Sequence, residues 1–170
     1  MTNMKDIKVE KVTLNIGTGK PGPELEKALK LLNKITGKKP CETKTKKRIP
    51  TWGVRPGLVI GCKVTVRGKE AEALLERLFL ATDHKLDPRK LDSTGNLSFG
   101  IKEYLDIPGT EYDISIGIIG LDAAVTLTRA GYSIKRRKLK SKSIGKKHRI
   151  TKEEARAFLE EKFKVKFGEQ

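Results

Sequence analysis

From Lys8 to Ile16 the chain alternates, with Val12, Leu14 and Ile16 on one side and Lys11, Thr13 and Asn15 on the other. That is the period of a half-buried β-strand with a polar, basic outer face. After the turn GTGKPG, Leu25, Ala28, Leu29, Leu32 and Ile35 recur near helical spacing, a proline suits the first turn, and Gly37 supplies a stop. The pattern predicts an amphipathic helix of about 13 residues. Pro40 to Lys46 reads as a short strand. The run KKRIPTWGVRPG has two prolines, two glycines and no period, so it is a loop. It is longer than a hairpin needs, which implies that the loop has a task of its own. Leu58 to Arg67 alternates again, with Ile60, Cys62, Val64 and Val66 inward and Gly61, Lys63, Thr65 and Arg67 outward.

A second helix follows Gly68 and ends near Ala81, with a core stripe of Ala71, Leu74, Leu75, Leu78 and Phe79. Residues 87–113 are turn-rich, with a short strand expected at Leu97 to Ile101. Tyr112 to Ile119 and Asp122 to Thr128 are β-branched and alternating, and they predict a hairpin turning at Gly120. Thr151 with Glu154 reads as a capping box for a last helix carrying Ala155, Phe158 and Leu159. The order β-α-β-β-α-β-β-β-α predicts an α+β fold. Its antiparallel or mixed sheet has helices packed on one face, and the other face is open to a ligand.

Charge sharpens this picture. The 170 residues hold 37 Lys and Arg against 21 Asp and Glu, a formal +16. Residues 38–55 contain seven basic side chains and one acid, and residues 135–149 contain nine and none. The remaining body is close to neutral, so two intense basic segments sit on an ordinary domain, the footprint expected for a polyanion partner. The length suits one domain, 1–170. The basic tract at about 133–150 has too little apolar content to pack alone, so it is expected to be mobile until an anion orders it. Two cysteines make no disulfide framework, and no apolar run suits a signal peptide or a membrane span. A cytosolic protein follows from that reading.

Gly17, Gly19 and Gly22 match G-x-G-x-x-G between a strand and a helix, with Glu42 about 20 residues on, the pattern of a dinucleotide site. No second β-α-β unit follows, and the strands' polar outer faces do not suit a doubly wound sheet, so a turn is the better reading. Cys41, Cys62, His84 and His148 fit no zinc spacing, and no serine or cysteine has a catalytic context. An enzyme, a metal and a cofactor are therefore not expected. Lys11, Thr13 and Asn15 with Lys63, Thr65 and Arg67 form two matching faces beside a basic loop; Lys and Arg neutralise phosphates while Thr and Asn reach phosphate and 2′-hydroxyl oxygens. Two readings of Trp52 stay open: a core anchor, or an aromatic that stacks on RNA between Arg48 and Arg55. The tract at 135–149 lacks the apolar face of a membrane-surface segment.

The stretches VTLNIGTG (12–19), ITGKKPCETKTKK (35–47), VRPG (54–57), IGCKVTVRG (60–68), GNLSFGIKE (95–103) and GLDAAVTLT (120–128) resemble, in order, ribosomal protein five of the large subunit, the universal 5S rRNA-binding family. The resemblance implies an α+β fold whose open sheet face and first-helix region grip 5S rRNA in the central protuberance. By position it points to Asn15, Lys63, Thr65 and Arg67, with Lys38 and Lys44 beside them, and the strand pattern adds Lys11 and Thr13 as 5S rRNA contacts. It implies that the loop residues Lys46, Lys47, Arg48, Pro50, Thr51, Trp52, Gly53, Val54 and Arg55 reach P-site tRNA. The family's loop aromatic is commonly Phe where this chain has Trp52.

Lys135, Arg136, Arg137, Lys138, Lys140, Lys142, Lys146, Lys147 and Arg149 are expected to add rRNA contacts, including 23S rRNA. Further implied partners are neighbouring proteins of the central protuberance and a small-subunit head protein across the intersubunit bridge, with the chain a monomer in the ribosome. Bacterial members begin with an additional helix and lack the basic insertion, so the resemblance is to the archaeal and eukaryotic branch. The alternatives are an RNA-binding module outside the ribosome and, more remotely, a nucleotide-dependent enzyme using Gly17 to Gly22.

Overall fold

The computed structural model describes residues 3–168. In chain order it contains strand β1 (Ile7–Gly17), helix α1 (Pro23–Thr36), strands β2 (Cys41–Lys44) and β3 (Val59–Arg67), and helix α2 (Lys69–Leu80). The two-residue strand β4 (Lys85–Leu86), strands β5 (Leu97–Ile101) and β6 (Leu121–Arg129), helix α3 (Lys152–Phe163) and strand β7 (Lys166–Phe167) follow. Five strands form one sheet in the order β2-β3-β1-β6-β5, every neighbouring pair antiparallel. Strand β1 lies at its centre.

The alternation read from the sequence sets which side is covered. Val12, Leu14 and Ile16 of β1, Val64 and Val66 of β3, and Val125 and Leu127 of β6 are buried against the helices. Helix α1 presents Leu25, Ala28, Leu31, Leu32 and Ile35 to them; Pro23 opens it, and Gly37 closes it in the left-handed conformation, donating its N–H to Asn33 O at 2.7 Å. Helix α2 buries Ala71, Leu74, Leu75, Leu78 and Phe79. Phe79 stacks on Phe99 of β5 and meets Phe163 of α3 edge-on, with ring centroids 5.6 and 5.5 Å apart. That aromatic trio joins two helices to the sheet edge.

The predicted strand at Tyr112 to Ile119 is not formed. Asp113 captures the local donors instead: its carboxylate accepts from the Ser115 N–H and hydroxyl at 2.9 and 2.7 Å, and its carbonyl accepts from Ile116 and Gly117 at 3.0 Å. An Asp-centred turn competes successfully with a ladder here because its bonds are all local. Ile116 is buried, whereas Ile114 and Ile118 face solvent. The expected hairpin is therefore absent, and β6 pairs with β1 and β5. Gly120 has another use: a Cβ there would lie 2.8 Å from Lys102 O, so the chain can pass β5 only as glycine. The short parallel pair β4 and β7, with Lys166 N–H donating to His84 O at 2.7 Å, was not anticipated either.

Residues 130–151 form a loop whose ends are fastened together. The Tyr132 hydroxyl donates to His148 O at 3.2 Å and accepts from the Ile150 N–H at 3.0 Å. Arg129, almost fully buried, reaches Arg149 O at 3.3 Å and the Glu154 carboxylate at 2.9 Å. The Thr151–Glu154 capping box is formed. The Thr151 backbone N–H, followed by the Arg129 guanidinium, holds the Glu154 carboxyl below the usual carboxylate range.

This packing is testable at two points. Cys62 is buried and its thiol is pushed up to about 11 by burial, whereas Cys41 is exposed on the edge strand. A maleimide at neutral pH should label Cys41 alone, with Cys62 reacting only in denaturant; equal labelling rates would contradict the packing. Glu154→Gln keeps the shape of the capping box but leaves Arg129 without its charge partner, and it should cost about 1–2 kcal/mol in urea unfolding at neutral pH. The lowered carboxyl contributes stability above about pH 4.3, its unfolded value, and loses it as pH falls through the native value. The acid-side slope of stability should therefore be shallower in Glu154→Gln than in the parent.

Candidate nucleic-acid interface

On the sheet face opposite the helices, register places side chains in rows. Lys11 lies opposite Arg67, Thr13 opposite Thr65, and Asn15 opposite Lys63. Cross-strand neighbours point to the same side, so the six residues form one two-strand patch. The Thr13 and Thr65 hydroxyls are 3.4 Å apart at its centre. Strand β6 extends the rows with Thr126, Ala124 and Asp122, and β5 adds Ser98 and Gly100. Cys41 of β2 flanks Lys63. The β5 and β6 residues were missed as site candidates, although the alternation of those strands already turned them outward. Most are small, which keeps the face flat.

Lys38 and Lys44 do not join those rows. Lys38 is drawn to Glu70 in the first turn of α2, with a 2.5 Å ion pair, and Lys44 ends β2 beside a register shift opposite Val59.

Glu10 is the residue that sequence reading missed. Its side chain is only 8% exposed, on the basic end of the sheet, and it binds Arg67 at 3.2 Å and Arg136 through both carboxylate oxygens. The pairing shifts register between Val9 and Lys11, so Glu10 occupies a β-bulge. A signal existed: Val9 and Val12 are both buried but an odd number of residues apart, which a regular strand does not allow. Through Glu10 the start of the basic tract is fastened to the strand patch, and two regions distant in sequence become continuous.

The loop from Lys46 to Arg55 is a narrow hairpin. Ile49 and Val54 exchange backbone hydrogen bonds at 2.9 and 3.0 Å, Pro50–Trp52 form one 3₁₀ turn, and Gly53 closes it at φ 65°. Val54 is buried, but Trp52 is 71% exposed at the tip. The core-anchor reading of Trp52 is thereby excluded. Lys46, Lys47, Arg48 and Arg55 are exposed and make no ion pair among the described residues.

The glycine turn does not cradle an anion as a dinucleotide loop would. The N–H groups of Thr18 and Gly19 both donate inward to Ile60 O, at 2.9 and 3.0 Å. No cluster of metal-ligating side chains occurs among the described residues, and no helix there is long and apolar enough to cross a membrane. Of the tract, Arg137 binds Lys140 O at 2.9 Å and Arg149 binds Ile144 O at 3.2 Å, while Lys138, Lys140, Lys146 and Lys147 are exposed.

An antiparallel sheet with helices on one side, and positive charge gathered on its strands and loops, defines a class: an α+β protein with a basic surface. Residues 2–55 match the family model "Ribosomal protein L5", and residues 59–167 match the model of the same ribosomal family's C-terminus. The chain belongs to the ribosomal L5 family; it is a structural ribosomal protein of the large subunit and not an enzyme. It is 48% identical to the large ribosomal subunit protein uL5 of Sulfurisphaera tokodaii, covering 95% of this chain and 92% of that protein. The uL5 protein of Nitrosopumilus maritimus is 49% identical, with 95% and 94% covered, and that of Nanoarchaeum equitans 47%, with 95% and 96% covered. These relatives are archaeal, as the resemblance implied. Strand β3 of the C-terminal match lies between β1 and β2 of the N-terminal one, so a single sheet interleaves both.

Removing the carboxylate at the bulge should release the tract. Glu10→Gln should cost about 1–2 kcal/mol of stability, because two half-exposed guanidinium groups lose their shared partner. It should also speed tryptic cleavage between Arg136 and Lys147 under native conditions. An unchanged digestion pattern would mean that Glu10 does not fasten the tract.

Proposed function

We propose that the chain acts as one domain that binds 5S rRNA and anchors it in the central protuberance of the large subunit, while its long loop touches P-site tRNA. The observation that carries the reading is the strand patch, where register sets Lys11, Thr13 and Asn15 beside Arg67, Thr65 and Lys63 on a flat face. Such a surface suits an RNA helix, whose shallow minor groove offers 2′-hydroxyls and phosphates. Cations at the corners neutralise phosphate, and the central threonines and Asn15 donate to or accept from sugar hydroxyls. The mechanism is positioning.

Arg67 contributes to this surface while bound to Glu10, which fixes the direction of its guanidinium before RNA arrives. The basic tract continues the positive surface from that corner, and 23S rRNA is its fitting partner. At the other end the Lys46–Arg55 hairpin holds an exposed Trp52 and exposed cations, a combination suited to a contact that forms and releases. Neighbouring proteins of the central protuberance and a head protein of the small subunit complete the partners of a monomeric chain.

Titration against 5S rRNA and a same-length control RNA over a salt series tests the main reading. Preference for 5S rRNA should persist at high salt, where nonspecific attraction fades; equal affinities throughout would overturn it. Lys63→Ala with Arg67→Ala should weaken 5S binding and lower the salt slope by about 2. Shortening Lys46–Arg55 should leave 5S binding intact and reduce tRNA retention on reconstituted ribosomes. Loss of 5S binding on shortening the loop would overturn the division of labour.

A further inference from the structure

The basic tract and Thr94 border an open pocket of about 310 Å³. Three cations line it, Lys135, Lys142 and Arg149, together with the hydroxyl-bearing Ser141 and Ser143. Among the described residues, no carboxylate lines it. The cations come from both limbs of the loop, and backbone and side-chain bonds bring them together: Lys142 N–H donates to Ile134 O at 3.3 Å, and the Ser141 hydroxyl donates to Lys135 O at 3.2 Å. The Tyr132 hydroxyl ties the base of the loop to His148 and Ile150. The cavity is thus a product of the loop's fold.

Three positive side chains around one concavity set up a local positive potential that favours an anion there. The rest of the tract supplies no such anion. Glu10 is occupied by Arg67 and Arg136, and Glu154 by Arg129. The wall also has an apolar side, where Tyr132, Ile144 and Ile150 line the cavity. A bare phosphate needs only the cations and hydroxyls; the apolar wall suits a flat, weakly polar group attached to it. The volume is at the small end for ligand pockets, enough for one nucleotide unit and too small for a helix.

We propose that this cavity receives a single unstacked nucleotide of RNA, its phosphate among Lys135, Lys142 and Arg149 and its base against Tyr132 and Ile144. The site is separate from the strand patch. It rests on the RNA-binding role proposed above, and it specifies what the tract recognises: a flipped-out nucleotide at a bulge or loop. Recognition of that kind is available only where RNA leaves the double helix. Arg136 then serves a different purpose from its neighbours, holding the loop to the sheet through Glu10.

The full chain can be titrated with a single-stranded trinucleotide, with inorganic phosphate and with an uncharged nucleoside, following the Tyr132 ring and Ile144 methyl resonances. The trinucleotide should shift both saturably and more tightly than either fragment. Lys135→Ala with Lys142→Ala should weaken it by about tenfold or more, whereas Lys30→Ala with Lys90→Ala, which removes equal charge elsewhere, should change it far less. Unchanged Tyr132 and Ile144 signals, or equal losses in the two double variants, would overturn the site. Phosphate binding as tightly as the trinucleotide would reduce it to a simple anion site and overturn the nucleotide assignment. Specific 5S rRNA binding, measured on the same variants, separates this outcome from failure of the broader function: binding that survives while the resonances stay still refutes only the cavity.

Discussion

Strand β1 is hydrogen-bonded along both edges, to β3 on one side and β6 on the other, and that double pairing is the constraint on which the other elements depend. A central strand must bury one face, and Val12, Leu14 and Ile16 give α1 and α2 something to cover. Its other face is then committed by the pleat, because residues one apart point oppositely. Lys11, Thr13 and Asn15 have no choice but to stand on the open side. Register does the rest, bringing Arg67, Thr65 and Lys63 alongside them although more than forty residues intervene.

The bulge at Glu10 is where this regularity is broken to some purpose. One extra residue resets the alternation between Val9 and Val12, so both can be buried. The same distortion sets a carboxylate on the basic end of the sheet, where two arginines share it. A lone acid in a basic strand draws no notice in sequence. In the fold it decides that the tract leaves β6 alongside the strand patch, so that the two charged regions form one surface. The remaining ion pairs are chiefly between exposed groups, where solvent screening leaves them little weight in stability.

The strongly periodic elements were legible. The core stripes of α1 and α2, the alternation of β3 from Cys62 to Arg67 and the Thr151–Glu154 box all depend on neighbours within a few residues, and each occurs where the pattern lay; only at Gly61, which is buried, does the alternation of β3 break. The candidate patch was legible to the same degree, since outward residues are fixed once a strand's inward ones are known. Tyr112 to Ile119 misled because its alternation was real but its backbone donors were taken by Asp113, a competition that hydrophobic pattern does not register. The pairing of β4 with β7 joins two residues to two others about eighty positions away, too short a segment to carry any period.

Read along the chain alone, spacing and composition establish the α+β class, the side of each long strand that is wet, the two concentrations of positive charge and the family resemblance. These are properties of local order along the chain, set by spacing and composition. Folding was needed to bring β6 to β1, to set Trp52 out at a hairpin tip, to place Glu10 between Arg67 and Arg136, and to line one pocket with Lys135, Lys142 and Arg149. Each of those facts is a meeting of residues far apart in the chain. Such meetings follow from strand order and loop closure, which the period of a single segment does not contain.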